Sequence, residues 1–187
     1  MKQRPFHTID EVSALRGKRV IVRAGLNVPL ESGMVWDTFR IKKACETIQF
    51  LQKAGARVIV LGYIGREPHE TLRPVYESLR QLLPILWADG LVSAETADAV
   101  SALTDGEAVL LENTRSDARE ELNDEEFVRT LATYGDIYVN DAFADSHRPY
   151  ASIVGIPKYL PSYAGLLFVR EYDALSIAFD PINPAPP

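Results

Sequence analysis

The chain has 187 residues, of which 47% are hydrophobic and 25% are charged, and its formal net charge at pH 7 is −6. This composition is that of a globular protein with a substantial core, and the acidic balance disfavours binding to nucleic acids or to membrane surfaces. No apolar run could span a bilayer, residues 1–5 lack a signal-peptide pattern, and the single cysteine, Cys45, cannot form an internal disulfide. We therefore expect a soluble protein of the cytoplasm.

Predicted helices and strands alternate along the chain. In the first half, the patterns predict a short capped helix over residues 8–17, a strand over 18–24, a turn over 31–34, a helix over 37–55, a strand over 57–62, and a helix that begins at Pro74 and carries Val75, Leu79, Leu82 and Leu83. In the second half, they predict a short strand over 85–87, a helix over 94–103 and a strand over 108–111. They further predict a helix whose solvated acidic start is 117–126 and which carries Phe127, Val128, Leu131 and Tyr134, a strand over 136–140 and a helix over 165–179.

The strands are short, continuous and rich in valine, isoleucine and leucine, as strands buried on both faces are. This pattern predicts an α/β fold with three layers: an open, doubly wound parallel sheet, Rossmann-like, with helices on both faces. Residues 1–179 are predicted to form one domain. Residues 180–187 include four prolines in the last seven positions and read as an extended linker towards a further domain.

Arginines follow the strong predicted strands. Arg23, Arg66, Arg115 and Arg148 each come after one strand, and Arg40 begins the first long helix. Because the carboxyl ends of parallel strands share one edge of a sheet, we expect these side chains to converge there. Guanidinium groups pair with carboxylate and phosphate, so the pattern predicts a site for a small polyanion and suits phosphoryl transfer. Unrelated surface arginines on a generic α/β domain remain the alternative.

Other site signals are weak or missing. The sequence contains neither of the common glycine-rich phosphate loops, and it has no Cys/His cluster for zinc. His7 and His69 are expected to be surface residues, whereas His147 adjoins Arg148 and is a candidate for the site. Cys45 falls in a predicted helix and is expected to be a buried structural thiol.

At these residues the chain resembles the N-terminal domain of the phosphoglycerate kinase family. The resemblance runs in order through the segments Arg23–Leu30, Phe39–Ile41, Leu61–Arg66, Leu72–Val75, Leu110–Arg115, Tyr138–Phe143, His147–Arg148 and Ala164–Leu167. Each segment alone would be weak evidence, and it is their joint order over nearly the whole chain that is specific.

The resemblance implies a two-domain glycolytic kinase that moves a phosphoryl group between the 1-carboxyl of phosphoglycerate and ADP, with magnesium. The N-terminal half of such an enzyme binds 3-phosphoglycerate or 1,3-bisphosphoglycerate. A C-terminal half, missing here, would bind Mg-ATP or Mg-ADP, so no cofactor is expected in this chain. We expect a monomer whose partner is its own C-terminal domain. Without that domain the chain should show no turnover, because nucleotide and acyl phosphate are not brought together.

The resemblance also assigns roles to individual residues. It gives substrate binding to Asn27, Arg40, Tyr63, Arg66, Arg115, His147 and Arg148, charge stabilisation on the transferring phosphoryl group to Arg40, and no metal ligand to this chain. Arg23 is expected to pair locally as a structural residue.

Three positions depart from the family pattern. Gly25 stands where the family has aspartate, Tyr63 where it has histidine, and Asp145 where a small or hydroxylated residue is usual. We hypothesise that Asp145 compensates for the missing aspartate, either by approaching a substrate hydroxyl or by anchoring an arginine. The departures keep an alternative open: a degenerate module derived from a kinase, which binds a phosphorylated metabolite or a partner without catalysis.

Overall fold

The structure is a computed structural model that describes residues 4–178. Its centre is a six-stranded parallel sheet in the order β5-β6-β4-β1-β7-β8. These strands are β1 (Arg19–Ala24), β4 (Arg57–Leu61), β5 (Leu86–Ala88), β6 (Ala108–Leu111), β7 (Ile137–Asp141) and β8 (Ser162–Ala164). The helices are α1 (Phe39–Lys53), α2 (Arg73–Leu79), α3 (Ala94–Ser101), α4 (Arg119–Leu122), α5 (Glu125–Ala132) and α6 (Leu166–Ala178). The predicted α/β fold with a parallel sheet is confirmed.

Side chains that point alternately to the two faces of the sheet form the two cores of the three-layer fold. In β1, Val20 and Val22 belong to the cluster that includes the apolar faces of α1 and α2, whereas Ile21 belongs to the cluster that includes α3 and α5. Successive side chains of a strand point to opposite faces, so strands that are apolar at every position bury both faces of the sheet. Helices therefore cover the sheet on both sides.

The longest helix, α1, is held by its apolar stripe. Its fully buried side chains include Ile41, Ile48 and Leu51, and Gly55, just after the helix, has a φ of +78°. Glycine adopts this left-handed conformation without steric cost, which explains why the helix ends there. Cys45 lies on the same stripe, 3% exposed and unpaired, and burial raises the pKa of its thiol to about 11. The expectation of a buried structural cysteine is confirmed.

A small hairpin separates β1 from α1. It consists of β2 (Leu30–Glu31) and β3 (Met34–Val35), which pair antiparallel. The two turn residues, Ser32 and Gly33, both have positive φ, at 50° and 76°, as a two-residue turn of this kind requires. The hairpin places Phe39 and Arg40, at the start of α1, beside the carboxyl end of β1.

The strand order contains a topological switch between β1 and β7. From β1 the chain continues to β4 on one side, whereas from β7 it continues to β8 on the other. The loops that leave the two strands therefore diverge and leave a crevice at the carboxyl edge of the sheet, where open α/β sheets bind ligands.

Several local predictions were wrong. The predicted helix over 8–17 is only a 3₁₀ turn, Ile9–Glu11. Helix α2 ends at Leu79, so Leu82 and Leu83 lie beyond it. The predicted solvated acidic helix is in fact two helices, α4 and α5, and Glu120 within it is fully buried.

The carboxyl-terminal part of the chain contains elements that were not predicted, among them the π-helical turn Ala151–Gly155. Strand β8, only three residues long, was not predicted. Phe179 and the proposed linker at 180–187 lie outside the described residues. Across residues 4–178, the structure shows no helix long and apolar enough to cross a membrane.

Candidate functional site

A cavity of about 550 Å³ opens at the switch between β1 and β7. The loop after β1 contributes Gly25 and Asn27, the loop after β4 contributes Tyr63, and residues 141–145 line it from the end of β7. Helices α1 and α6 form the remaining walls through Phe39, Arg40, Lys43, Leu167, Arg170, Glu171 and Ala174. Three predicted site residues, Asn27, Arg40 and Tyr63, thus meet in one cavity.

Asn27 connects three parts of this wall. Its Oδ1 accepts a hydrogen bond from the Gly65 backbone N–H at 3.1 Å, and its backbone carbonyl accepts one from Arg40 Nη1 at 3.3 Å. Its Nδ2 lies 3.5 Å from Tyr63 Oη. The Asn27 side chain therefore holds the loop after β4, and its backbone carbonyl holds the start of α1, relative to β1.

Tyr63 is buried at the back of the cavity, with 5% of its surface exposed. Its hydroxyl donates to Asp145 Oδ1 at 2.9 Å, and the Arg115 guanidinium lies 4.4 Å from its ring centroid. Burial, reinforced by the Asp145 carboxylate, raises the pKa of the Tyr63 phenol above its usual value. The phenol is therefore neutral at physiological pH.

The loop after β6 is built around Asn113, which is fully buried. Its side chain donates to the carbonyls of Ile64 and Glu70, at 3.1 and 2.7 Å, and accepts from the backbone N–H of Arg115 at 3.1 Å. Arg115 Nη1 in turn donates to the Gly65 carbonyl at 2.9 Å. Asn113 thereby places Arg115 beside the loop that carries Tyr63 and Arg66.

The remaining predicted residues do not line the cavity. Arg148 Nη1 donates to Tyr150 Oη at 3.1 Å, and Arg115 lies 6.0 Å from the Tyr150 ring. Arg66 and His147 are exposed, and neither side chain makes a hydrogen bond or ion pair within residues 4–178. His7 and His69 are exposed as well, as expected.

Arg23 does not reach the cavity. It is 0% exposed and donates to Ser152 Oγ at 3.1 Å, to the Ala24 carbonyl at 2.7 Å and to Asp145 Oδ2 at 3.3 Å. Ser152 also donates to the buried Glu120. The initial expectation that five arginines converge is wrong for Arg23. Its expected structural role agrees with the structure, but only the Ala24 carbonyl is a local partner, and Asp145 and Ser152 are distant in sequence. Asp145 anchors an arginine, one of the two roles hypothesised for it.

The arginines around the cavity differ from most others in how they are paired. Arg19, Arg57, Arg119 and Arg129 each contact a carboxylate at 2.5–3.1 Å. Within the described part of the chain, Arg40, Arg66 and Arg148 have no carboxylate within 4 Å, and Arg115 has only Glu121, at 3.9 Å. Each of these four guanidiniums uses at most one of its five donors, so the set retains capacity for an anion.

Sequence reasoning missed two basic residues of the cavity, Lys43 and Arg170, both of which pair with Glu46. Lys43 follows Arg40 by three residues on α1, and this spacing places both on one helix face. That spacing was a usable signal. Arg170 comes from α6, and only the packing of α6 against α1 brings it to the cavity.

The floor of the cavity includes Asp141, at the end of β7. Its Oδ1 accepts from the backbone N–H groups of Leu167 and Phe168, at 2.9 and 3.1 Å, and so caps α6 from another element. Gly165 lies so close that a Cβ there would come within 2.2 Å of Asp141 Oδ1. Burial raises the pKa of the Asp141 carboxyl to about 7.

No group of three or more His, Cys, Asp or Glu side chains within residues 4–178 is placed to hold a metal ion. Two of the three carboxylates at the cavity are committed elsewhere: Asp145 to Arg23 and Tyr63, and Asp141 to α6. The third, Glu171, lies on α6. The basic side chains of the cavity suit an anionic ligand, whereas its carboxylates form no cluster of three that could hold a metal ion.

The sequence model of the phosphoglycerate kinase family matches residues 9–185. The phosphoglycerate kinase of a strain of Methylorubrum extorquens is 44% identical over 178 residues, which cover 91% of this chain and 44% of that protein. The phosphoglycerate kinase of Rhizobium leguminosarum bv. trifolii is 43% identical over 187 residues, covering 96% of this chain and 47% of that protein. The chain thus spans less than half the length of these relatives.

Solved structures show the same relationship. Phosphoglycerate kinase from Coxiella burnetii superposes with a TM-score of 0.82 at 34% identity, covering 93% of this chain and 45% of that one. Phosphoglycerate kinase from Pyrococcus horikoshii OT3 superposes with a TM-score of 0.87 at 28% identity, covering 94% and 46%.

Proposed function

Because the chain belongs to the phosphoglycerate kinase family, we propose that its cavity and the arginines around it bind 3-phosphoglycerate or 1,3-bisphosphoglycerate. In this proposal the chain is the acid-binding part of a cytoplasmic glycolytic enzyme that transfers a phosphoryl group between the substrate carboxyl and ADP or ATP. It acts as a monomer together with a nucleotide-binding domain.

The observation that carries the proposal is the uncommitted charge at the carboxyl edge of the sheet. Arg40, Arg66 and Arg148 have no carboxylate partner within residues 4–178, although the net charge of the chain is −6. Several guanidiniums held together repel one another, which an anion between them would offset. A cavity of about 550 Å³ has room for a small phosphorylated acid.

The residues divide into two groups by position. Arg40 and Asn27 line the cavity and would contact the reacting end of the substrate, with Arg40 stabilising negative charge that spreads over the transferring phosphoryl group. Arg66, Arg115, His147 and Arg148 lie around it and would hold the phosphate at the other end of the acid. Tyr63 contacts one member of each group, Asn27 and Arg115.

Magnesium and nucleotide would be bound by another part of the full-length enzyme, because residues 4–178 offer no cluster that suits Mg²⁺. The contribution of this chain is to bind and orient the acid and to supply fixed positive charge. We accordingly expect the 187-residue chain to bind the acid but to show no turnover.

Titration calorimetry with 3-phosphoglycerate tests the proposal, and NMR spectra should show shifts at Arg40, Arg66 and Arg115. Inorganic sulfate at equal ionic strength is the control for unspecific anion binding. If 3-phosphoglycerate binds no better than sulfate, the proposal fails. Formation of ATP from ADP and 1,3-bisphosphoglycerate by the chain alone would contradict the expected lack of turnover.

Gly25 favours a second candidate function, a module that binds a phosphorylated metabolite or partner without catalysis. An added Cβ at Gly25 would meet nothing within 4 Å, so the cavity has an unfilled space beside the reacting end of the proposed substrate. The discriminating measurement is the turnover of the full-length protein in a coupled assay. A protein that binds 3-phosphoglycerate but forms no ATP would be such a module.

A further inference from the structure

The hydrogen-bond direction at Tyr63 has a consequence for ligand selection. A phenol has one hydrogen to donate, and its oxygen can also accept. The Tyr63 hydroxyl points to Asp145 Oδ1 at 2.9 Å, and its other polar neighbour is the Asn27 side-chain nitrogen at 3.5 Å. Asn27 Nδ2 can only donate, so the Tyr63 hydrogen has one acceptor available, the Asp145 carboxylate.

Arg23 fixes this arrangement from behind. Asp145 Oδ2 accepts from Arg23 Nη2 at 3.3 Å, and Arg23 is 0% exposed. A carboxylate has no hydrogen to donate and can accept on both of its oxygens. Asp145 therefore takes one donor on each oxygen, from Arg23 and from Tyr63. The raised pKa of the Tyr63 phenol agrees with a proton that stays on its oxygen.

The cavity consequently presents an unusual surface at Tyr63. The Arg40 and Lys43 side chains that line it offer donors, which suit the anionic oxygens of a ligand. Tyr63 lines the same cavity, and its hydrogen is taken by Asp145. Its oxygen accepts only the long 3.5 Å contact from Asn27 Nδ2 and so retains an electron pair for a ligand. A neutral acceptor with no hydrogen to give would repel an anionic oxygen but accept from a hydroxyl group.

We propose that Tyr63 is the specificity-determining residue of this site, accepting a hydrogen bond from a hydroxyl group of the bound phosphorylated acid. Asp145 acts as a positioning residue, because it takes the Tyr63 hydrogen and so sets the polarity of the phenol. This inference rests on the proposed function and adds to it which group on the ligand the chain distinguishes.

The test compares 3-phosphoglycerate with 3-phosphonooxypropanoate, which has the same phosphate and carboxylate but lacks the 2-hydroxyl. Calorimetry on the 187-residue chain should show about tenfold tighter binding of the hydroxylated acid, the range expected for one buried hydrogen bond. In Tyr63→Phe the ratio of the two affinities, 3-phosphoglycerate over the acid without the hydroxyl, should fall to about one, because only the binding of 3-phosphoglycerate weakens. Tyr159→Phe, which removes an exposed hydroxyl that bonds Glu125, should keep the original ratio.

A second variant tests the positioning role. In Asp145→Asn, the amide oxygen should turn to Arg23 and the amide nitrogen to Tyr63, which frees the phenol hydrogen for the cavity. The ratio should then fall to one or below while Tyr63 is still present. A structural role alone would weaken both ligands equally and leave the ratio unchanged.

The outcomes separate the inference from the proposed function. An unchanged ratio in both Tyr63→Phe and Asp145→Asn, with binding intact, overturns the inference and leaves the proposed function standing. If neither acid binds the unaltered chain, the proposed function fails, and the inference fails with it.

Discussion

At the scale of single residues, Arg115 shows how the site keeps its charge available. Its side chain is 11% exposed, it lies 4.4 Å from the Tyr63 ring centroid, and it makes one hydrogen bond, to the Gly65 carbonyl. The stacking orients the guanidinium without using its donors. Arg115 is therefore preorganised for an anion, which reduces the entropy lost on binding.

Replacing Arg115 by alanine should weaken binding of 3-phosphoglycerate by about tenfold or more, because a charge-assisted hydrogen bond is lost. Arg129→Ala is the matched control, since Arg129 is exposed and pairs with Glu125 on the same helix. Titration calorimetry on both variants measures the difference. Equal affinities in the two would show that Arg115 takes no part in binding.

Arg23, in the same strand-to-loop segment as Asn27, has the opposite role. Arg23→Ala should lower the free energy of unfolding by about 3–5 kcal/mol, because Asp145 would lose the partner of a buried ion pair. The control Arg57→Ala breaks a partly exposed pair with Asp105 and should cost under about 1 kcal/mol. Urea denaturation gives both values, and similar losses in the two variants would refute the structural role of Arg23.

The local sequence could not predict whether Arg23 is buried or lies at the rim of the sheet. The residue ends an apolar run, which is compatible with emergence at the rim, but β1 continues to Ala24. Its partners Asp145 and Ser152 are 122 and 129 residues away in sequence. Only the folded arrangement of the loop after β7 and the π-helical turn Ala151–Gly155 brings them to Arg23.

At the scale of elements, α6 depends on a carboxylate from another part of the chain. Asp141 accepts from two N–H groups in its first turn, which otherwise lack partners within the helix. The remaining oxygen, Oδ2, is buried and has no hydrogen-bond partner within the described residues. An ionised carboxylate is costly in such a setting, which is why its pKa is raised to about 7.

This raised pKa makes the free energy of unfolding depend on pH. The folded state binds the Asp141 proton more tightly than the unfolded state, so the contribution of this group is complete below about pH 4 and is lost as pH rises through about 7. Asp141→Asn cannot titrate and keeps an acceptor for α6. Between about pH 5 and 7 its stability relative to the unaltered chain should rise by about 1 kcal/mol per pH unit.

Urea denaturation at several pH values measures this change. Asp136→Asn is the control, because the Arg19 side chain lowers the pKa of Asp136 and this group stays ionised across the same range. Its stability difference should therefore be constant across that pH range. If the difference in unfolding free energy between Asp141→Asn and the unaltered chain is also constant, Asp141 does not titrate in this pH range.

Elements with a long apolar pattern could be predicted, and short ones could not. Strands β1, β4 and β6 have nearly continuous β-branched or leucine runs, β7 begins with Ile137, Tyr138 and Val139, and α1 has a clear helical period. Strand β8 has only Ser162, Tyr163 and Ala164, and it forms because β7 offers an open edge. Its stability comes from tertiary pairing, which a local pattern does not record.

At the scale of the whole molecule, the sheet topology determines where the site forms. Parallel strands deliver their carboxyl ends to one edge, so the predicted convergence of Arg40, Arg66, Arg115 and Arg148 at one edge follows from the fold class. The division between cavity walls and surrounding residues could not be predicted. It depends on where α6 packs, and on the Asn113 side chain that joins the loops after β4 and β6.

Because the ligand would bridge loops from β1, β4, β6 and β7, binding should stabilise the entire fold. A ligand at about one hundred times its dissociation constant contributes about 2.7 kcal/mol. For a chain of 187 residues, this corresponds to a rise in melting temperature of about 5–10 °C. Thermal unfolding followed by circular dichroism, with 3-phosphoglycerate added stepwise, measures the shift.

Two controls make this prediction specific. Sulfate at equal ionic strength occupies an arginine cluster but has no carboxylate or hydroxyl, so its shift should be smaller. In Arg115→Ala the 3-phosphoglycerate shift should shrink, because the loop after β6 no longer holds the ligand. A shift of the same size with sulfate would mean that the edge of the sheet recognises charge alone, and the cavity would then have no role in selecting the acid.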